Sequence, residues 1–169
     1  MTASHHLARI LVPVDGSEYA RLAAEYAVRL AKSDSAEVHF LCVVDEQITA
    51  EFAEQAALDG EEKARARSLE QGRVCLLDVA RLAEERGVSH REDLSEGDPC
   101  VVICETAARE DTDLVVMGKL GRHGARRILM GSMTRRVIES IDRPVLVVTG
   151  PPSIPASGEA EEESHGRAL

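Results

Sequence analysis

Hydrophobic residues in this chain form short continuous runs that alternate with longer segments of helical spacing. Continuous apolar runs bounded by polar residues are typical of parallel strands buried on both faces. They occur at residues 7–14, 38–44, 114–117 and 145–149, with a weaker fifth run at 88–94. Between them, apolar residues recur every three or four positions in residues 17–31, 48–86, 99–109 and 133–141, which predicts helices.

This alternation predicts a single doubly wound α/β domain, with a parallel sheet and helices on both faces. A length of 169 residues suits one such domain. Ser17 is the predicted N-cap of the first helix, and Pro99 fits the first turn of the third. In the long second segment Gly60 and Gly72 are predicted breaks, and Gly87 is the predicted end.

Composition indicates the domain boundary and the cellular setting. Residues 151–169 begin with two prolines, contain four glutamates and have few apolar residues. They are predicted to form a disordered acidic tail behind a domain of residues 1–150. No run approaches the roughly 20 apolar residues of a membrane span, and no secretory signal is apparent. A cytoplasmic protein without membrane insertion is expected.

The cysteines fit neither a disulfide framework nor a C-x-x-C metal motif. They are Cys42, Cys75, Cys100 and Cys104. Cys100 and Cys104 stand four residues apart and share a predicted helix face with Ile103 and Ala107, which predicts a place in the core. A redox or metal-binding role is the alternative.

The net charge of −10 argues against nucleic acid as a partner, because nucleic-acid binding depends on basic residues. Residues 118–143, however, hold seven basic and only two acidic side chains. The basic ones are Lys119, Arg122, Arg126, Arg127, Arg135, Arg136 and Arg143. A basic patch of this size suits a small polyanion better than a duplex. The alternative is that these are solvated arginines of a loop and a helix.

The most informative motif lies between the fourth strand and the last helix. Gly118, Gly121 and the pair Gly131-Ser132 occupy this connection. Glycines at such a junction let the backbone approach a phosphate, and they direct N–H groups and the helix dipole at the anion. The Ser132 hydroxyl is expected to cap the helix or to bind the anion. Replacing Gly118 or Gly131 is therefore expected to abolish binding and to leave the fold intact.

A second polar loop, residues 13–17, follows the first strand. Ligands of doubly wound sheets bind at the carboxyl ends of the strands, where the winding direction reverses. If the first and fourth strands are neighbours, both loops border one crevice.

These motifs, in this order, resemble the universal stress protein family, in the subgroup with the motif G-x2-G-x9-G-S/T. Gly118, Gly121, Gly131 and Ser132 fill that pattern at full spacing. Residues 9–17, 42–45 and 143–148 resemble the family's opening strand and loop, the end of its second strand and its closing strand. The resemblance implies a five-stranded parallel sheet of order 3-2-1-4-5, in which the first and fourth strands are adjacent.

The resemblance also implies ATP as the ligand, bound with magnesium. The first loop would line the adenosine, and residue 43 would contact the adenine through its backbone. Residues 117 and 118 would contact the ribose side, and the glycine loop would surround the phosphates. The implied binding residues are Pro13, Val14, Asp15, Val43, Met117, Gly118, Lys119, Gly121, Arg122, His123, Gly124, Gly131, Ser132, Met133 and Thr134. Lys119 departs from the serine that family members often have after the first glycine, so both a phosphate contact and a solvent-facing side chain stay open for it.

The main interpretation is an ATP-binding stress-response or regulatory protein that acts on an unidentified protein partner, with no catalytic or metal-ligating residue assigned. The alternative is an ATP hydrolase or adenylate-transferring enzyme. No G-x-x-x-x-G-K-[ST] loop is present, so hydrolysis is expected to be at most slow. His123 is the one candidate base in the glycine loop, and otherwise an ordinary loop residue.

A third interpretation is a dimeric scaffold whose nucleotide motif is empty.

The last strand, Val145–Val148, is apolar on both faces and lies at the edge of the implied sheet. An exposed apolar edge invites pairing, which predicts a homodimer joined through this strand.

Overall fold

The computed structural model describes residues 6–45, 61–122 and 130–150. Five strands alternate with four helices within these ranges. The strands are β1 (Arg9–Val14), β2 (Glu37–Val44), β3 (His90–Glu96), β4 (Leu114–Gly118) and β5 (Val145–Val148). The helices are α1 (Glu18–Asp34), α2 (Glu61–Arg86), α3 (Pro99–Arg109) and α4 (Ser132–Ser140). The predicted tail, residues 151–169, lies outside the described residues.

The strands form one parallel sheet in the order β3-β2-β1-β4-β5. The predicted order is confirmed, and with it the adjacency of β1 and β4, where Ile10 pairs with Leu114. From β1 the chain builds outward through β2 to β3, then crosses to the other side of β1 to add β4 and β5. The carboxyl ends of β1 and β4 therefore meet at the point where the winding direction reverses.

Two helices cover each face of the sheet. Helices α1 and α2 pack over a core that includes Ile10 and Val12, whereas α3 and α4 pack over one that includes Leu11 and Val115. Neighbouring residues of β1 belong to opposite cores because strand side chains alternate between faces. This explains the continuous apolar run at residues 7–14. None of the helices described here combines the length and the hydrophobicity that crossing a bilayer requires.

Helix α1 begins after Ser17, whose hydroxyl accepts a hydrogen bond from the N–H of Ala20 at 3.1 Å, as predicted for an N-cap. The helix continues three residues beyond its predicted end at Ala31 and stops where Ser35 adopts a left-handed conformation. Its buried face is almost entirely alanine, which brings the helix close to the sheet. The buried residues are Ala20, Ala23, Ala24, Ala27, Val28 and Ala31.

Helix α2 is continuous across Gly72, so the break predicted there is wrong. Gly72 is buried, and a Cβ at this position would lie 2.6 Å from Leu94 Cδ1 and 3.3 Å from Cys42 Sγ. The glycine therefore permits close packing of the helix on β2 and β3. The predicted end at Gly87 is confirmed, with a φ of +61° that favours glycine. Residues 48–60, including the break predicted at Gly60, lie outside the described residues.

Strand β3 lies two residues later than predicted. His90 pairs with Val38 at the start of the strand, whereas Val88 is buried and donates its N–H to the carbonyl of Ala83 at the end of α2. Because β3 is an edge strand with several exposed polar residues, its apolar pattern is weak.

Helix α3 begins as predicted with Pro99 in its first turn. The carboxylate of Asp98 caps it by accepting hydrogen bonds from the N–H groups of Cys100 and Val101, at 2.9 and 3.1 Å. Cys100 is buried in the core beneath α3 and α4, and Cys104 packs against the same core. The prediction that these cysteines are core residues is confirmed, and all four thiols are free.

Asp113 holds the start of β1 against the end of the α3–β4 connection. Its Oδ2 accepts hydrogen bonds from the N–H groups of Ala8 at 2.7 Å and Arg9 at 2.9 Å. The N–H of Arg9 is the largest cause that lowers the pKa of Asp113, and the N–H of Ala8 adds to it. A carboxyl whose pKa is lowered by folding stabilises the fold above its ordinary pKa of about 4, and this contribution is lost as the pH falls through the lowered value.

We expect Asp113→Ala to lower the free energy of unfolding at pH 7 by about 1–2 kcal/mol, because two backbone donors lose a charged acceptor. The difference from the unsubstituted protein should shrink as the pH falls from about 4, where Asp113 becomes protonated in the unfolded chain, through its lowered pKa in the folded one. Urea unfolding at pH 7 and pH 3 measures both effects, with the exposed Glu105→Ala as the matched control. An equal loss at both pH values would contradict the electrostatic explanation.

Candidate functional site

The loops that follow β1 and β4 lie side by side and are joined by Asp15. Its Oδ1 accepts a hydrogen bond from the N–H of Ser17 at 2.9 Å, and its Oδ2 accepts one from the N–H of Arg122 at 3.0 Å. These bonds connect both loops through one carboxylate. We refer to the surface formed by residues 13–17, 118–122 and 131–134 as the crevice.

Gly121 is placed directly against the Asp15 carboxylate. A Cβ at Gly121 would lie 2.7 Å from Asp15 Oδ2, which is closer than carbon and oxygen atoms approach. The missing side chain is therefore what lets the carboxylate reach the N–H of the next residue. Gly121, the second glycine of the motif, is therefore required by its contact with Asp15, which lies 106 positions earlier in the chain.

The Arg122 side chain lies over the first loop at the mouth of the crevice. Its Nε donates to the carbonyl oxygen of Asp15, and its Nη1 donates to Oε1 of Gln71 on α2 at 3.3 Å. A Cβ at Gly16 would lie 3.0 Å from the guanidinium, and the φ of Gly16, +79°, also favours glycine. An exposed positive charge thus lies where the two loops meet.

The start of α4 forms the third side of the crevice. Gly131 donates its N–H to the carbonyl of Lys119 at 2.9 Å, and the buried Thr134 donates its hydroxyl to the carbonyl of Gly118 at 2.9 Å. These bonds attach the helix to the end of β4. Gly131 is the N-cap and provides no side-chain acceptor, so of the two roles predicted for Ser132 the helix cap is wrong, and anion binding stays a prediction. Ser132 is the first helical residue, and it is exposed.

Gly118 is needed for packing, which corrects the expectation that it only makes room for a ligand. A Cβ at Gly118 would lie 2.6 Å from the backbone carbon of Tyr19 and 2.8 Å from its carbonyl oxygen. Backbone atoms of a helix cannot move aside in the way a side chain does. None of the three motif glycines has a positive φ, so close approach explains Gly118 and conformational freedom does not.

The pair Lys119-Leu120, where the chain departs from the family pattern, anchors the glycine loop. The N–H of Lys119 donates to the carbonyl of Val148 at 2.8 Å, next to the last residue pair between β4 and β5. Leu120 is buried, with 2% of its surface exposed, and its carbonyl accepts a hydrogen bond from the Ser17 hydroxyl at 3.4 Å. The loop is therefore attached to the sheet by its backbone and by one apolar side chain.

Most of the apolar residues that are predicted to bind the nucleotide also belong to, or pack against, the hydrophobic cores. Val14 and Met117 are buried in opposite cores, and Val43 and Met133 pack against the core beneath α3 and α4. Pro13 is half-buried. Val43 lies one residue beyond the last β1–β2 pair, at the carboxyl end of the sheet. These side chains therefore serve the fold, and Val14, Val43 and Met117 lie at or next to the last residues of their strands.

Two of the predicted binding residues, His123 and Gly124, lie outside the described residues, as do Arg126 and Arg127. Their contribution stays a prediction.

Two basic residues of the predicted patch form ion pairs away from the first loop. Arg136 contacts Asp98 at 2.8 Å and lowers the pKa of that carboxyl. Arg143 contacts Asp111 at 2.9 Å and precedes β5, which puts it near the amino ends of the strands. For these two, the alternative of ordinary surface arginines is the better interpretation.

Two buried cysteines, Cys42 and Cys75, lie close to the crevice. A hydrogen bond between their side chains lowers the pKa of Cys42 and raises that of Cys75, and burial raises both. The charge of Arg122 lowers both pKa values, and that of Asp15 raises both. Cys75 also borders a small cavity of about 100 Å³ between the first loop and α2.

A second polar cluster, at the amino ends of the strands, was not identified from the sequence. A cleft of about 310 Å³ lies there, lined by His39 and Glu110 together with Arg9, Arg91 and Arg109. The sequence feature that could have indicated this cluster is His39, a polar residue inside the apolar run of β2. Its partners lie far along the chain, so no local spacing connects them.

The fold and the crevice define a small doubly wound α/β protein with a candidate ligand site at its topological switch point. The sequence matches the Universal stress protein family over residues 6–149, and the chain belongs to that family. The resemblance found in the motifs is therefore confirmed at the level of the family.

Individual relatives agree with this assignment. Universal stress protein MJ0531 of Methanocaldococcus jannaschii is 38% identical over 143 residues, which cover 85% of this chain and 82% of the relative. The solved structure of MJ0577 is similar with a TM-score of 0.74 and 28% identity, over 88% of this chain and 99% of the other. The universal stress protein of Archaeoglobus fulgidus, solved in complex with dAMP, shares the fold with a TM-score of 0.62 and 19% identity, over 85% and 99% of the two chains.

We expect Gly118→Ala to destabilise the fold by about 1–3 kcal/mol, because the new methyl group meets the backbone of α1. Gly131→Ala should cost less, since the nearest neighbour of its new methyl group, the carbonyl oxygen of Lys119, would lie 3.3 Å away. Urea unfolding of both variants measures the difference. Equal stability of Gly118→Ala and the unsubstituted protein would show that α1 lies farther from β4 than described here.

Proposed function

We propose that this universal stress protein binds ATP with magnesium in the crevice and acts in the cytoplasm as a stress-response regulator whose nucleotide occupancy is read by a protein partner. The observation that carries the proposal is the junction of Asp15, Gly121 and Arg122 beside the start of α4. The dAMP complex of the Archaeoglobus fulgidus protein supports an adenine nucleotide as the ligand class.

The phosphate groups would lie between Arg122 and the start of α4. The N-cap glycine leaves the N–H groups of the first turn without a side-chain acceptor from that position, and the helix dipole favours an anion there. Ser132 is exposed beside these groups and adds a hydroxyl donor. The Arg122 guanidinium would turn from the carbonyl of Asp15 toward the phosphates. Phosphate binding would therefore release α2 from its contact with Arg122 at Gln71.

The adenosine would lie against the first loop and the end of β2. An ionised carboxylate has about four acceptor positions, and Asp15 uses two of them for backbone N–H groups. The remaining capacity suits a ribose hydroxyl or a water molecule on magnesium. Magnesium is commonly held by substrate phosphates and one or two carboxylates, so Asp15 alone is sufficient for this role.

The crevice favours binding over catalysis. Asp15 is the one acidic side chain among residues 13–17, 118–122 and 131–134, and two backbone N–H groups already occupy it. Fast phosphoryl transfer needs an oriented water and a metal held beside it. We therefore propose at most slow ATP hydrolysis, with no residue assigned as catalytic.

We expect the full chain to bind ATP with magnesium more tightly than AMP, because Arg122 and the helix start recognise phosphate charge. Ser132→Ala should weaken ATP binding about ten-fold through the loss of one hydroxyl contact. Gly121→Ala should weaken it further, since its methyl group displaces the Asp15 carboxylate. Isothermal titration calorimetry of ATP and AMP measures these affinities.

The matched control for Ser132→Ala is Ser33→Ala, a substitution of an exposed serine on α1. Circular dichroism shows whether each variant is folded. Equal ATP affinity in Ser132→Ala, Gly121→Ala and Ser33→Ala would place the nucleotide elsewhere, and no ATP binding by the unsubstituted chain would favour the scaffold interpretation.

We also propose a homodimer through β5, which lies at the edge of the sheet. Leu146 is 37% exposed on this short apolar strand, and Val145 and Val147 are half-buried. An edge strand exposes unpaired backbone groups, and pairing with a second copy across a two-fold axis would cover them.

We expect the unsubstituted chain to sediment as a dimer and Leu146→Lys to shift it toward the monomer. Val147→Lys should act in the same direction but with some loss of stability, because that side chain is half-buried. Analytical ultracentrifugation over a range of concentrations tests the dimer. The exposed Val74→Lys on α2 is the matched control, and equal dissociation in that variant would argue against the β5 interface.

A further inference from the structure

His39 is a buried polar residue on β2, at the opposite end of the sheet from the crevice. It pairs with Leu11 on β1 and with Arg91 on β3, and its side chain is only 5% exposed. Burial of an imidazole is costly unless both ring nitrogens have partners. The surroundings of the two nitrogens therefore indicate what this residue does.

Two carboxylates face the imidazole from different elements. Nδ1 lies 2.9 Å from Glu110 Oε2, at the end of α3, and Nε2 lies 2.9 Å from Asp93 Oδ2 on β3. The contact with Glu110 is a hydrogen bond. Nε2 is buried and has no hydrogen-bond partner among the described residues, even though the Asp93 oxygen is near. One ring nitrogen is thus satisfied, and the other is directed at a carboxylate that does not bond to it.

His39 and Asp93 provide a pair of donor atoms for a divalent cation, with Glu110 beside them. One nitrogen of His39 and one oxygen from each carboxylate lie within 4.8 Å of one another. Tetrahedral zinc with bonds near 2.0–2.1 Å places its ligand atoms about 3.3 Å apart. An ion between Nε2 and Asp93 would therefore require these two atoms to separate slightly from their 2.9 Å distance. Asp93 is 53% exposed on its side chain, so it has room to make that adjustment.

Glu110 has a different role from Asp93. It accepts the hydrogen bond from Nδ1 and also contacts the Arg91 guanidinium. A metal-bound histidine commonly donates its other N–H to a carboxylate, which fixes the tautomer and the ring orientation. Glu110 fits this positioning role, which leaves the Nε2 lone pair for the ion.

Arg91 is the group that competes with a cation. Its guanidinium contacts Glu110 closely, but it is 3.7 Å from Asp93 and 3.9 Å from Glu37. The contact of Arg91 with Asp93 is longer than its contact with Glu110, so an ion that recruits the Asp93 carboxylate would displace little. The cleft of about 310 Å³ borders His39 and Glu110 but is not lined by Asp93. Water molecules would therefore reach the ion past the Asp93 side chain, which is 53% exposed, to complete the coordination.

We propose that His39 Nε2 and Asp93 bind a divalent cation of the zinc class at the amino ends of β2 and β3, with Glu110 as the positioning residue for the imidazole. Nitrogen coordination favours zinc over magnesium and calcium, which take oxygen ligands. The site is separate from the crevice, because the four residue steps from His39 to Val43 span about 13 Å along β2. Zinc binding is therefore expected to be independent of ATP binding.

The test is a titration of the metal-free full chain with zinc chloride by isothermal titration calorimetry, and with Co²⁺ by visible absorption. His5 and His6 near the N-terminus are themselves zinc ligands by type, so all variants carry His5→Ala and His6→Ala. We expect one zinc ion per chain, and at least a ten-fold loss of affinity in Asp93→Asn and in His39→Gln. Asp111→Asn, which removes an exposed carboxylate lining the same cleft, is the matched control and should bind zinc unchanged.

Nitrogen NMR of the imidazole provides a readout that does not depend on affinity. With zinc bound, Nδ1 should carry the proton and Nε2 should show the shift of a coordinated nitrogen. Equal zinc affinity in Asp93→Asn and Asp111→Asn would overturn the proposal, and so would an imidazole with protons on both nitrogens in the presence of zinc. The second result would mean that a protonated His39 bridges the two carboxylates instead.

Discussion

Pairing of β1 with β4 is the constraint on which the rest of this structure depends. Because β2 and β3 lie on one side of β1 and β4 and β5 on the other, the connections leave the sheet in opposite directions at this point. The two loops at the carboxyl ends have no helix between them and come into direct contact. Asp15, Ser17 and Arg122 then join them through backbone donors, with one carboxylate serving both loops.

The glycines of the crevice follow from this close contact. Gly118 lets the backbone of α1 approach β4, Gly121 leaves space for the Asp15 carboxylate, and Gly131 allows the start of α4 to approach the loop after β4. The same positions that would receive a phosphate are thus also those where three elements meet. The fold itself therefore holds the described backbone of this motif in place.

The two ends of the sheet differ in chemistry. The crevice at the carboxyl end has an exposed arginine and a helix start beside the carboxylate of Asp15, which suits an anion. The amino end has a buried imidazole between two carboxylates, which suits a cation. Both arrangements depend on long-range contacts, which join Asp15 with Arg122 at the carboxyl end and His39 with Asp93 and Glu110 at the amino end.

The sequence by itself determined the class of fold, the N-cap of α1, the proline in the first turn of α3, the position of the glycine motif and the family. These features have local signals, since apolar runs, N-caps and motif spacing are readable from neighbouring residues. Only the tertiary structure explains why Gly72 lies within a continuous helix and why Gly118 cannot accept a side chain. Only the tertiary structure shows that Asp93 and Glu110 meet at His39. In each of these cases the deciding atoms belong to an element distant in sequence, and only parallel pairing and helix packing bring them within contact distance.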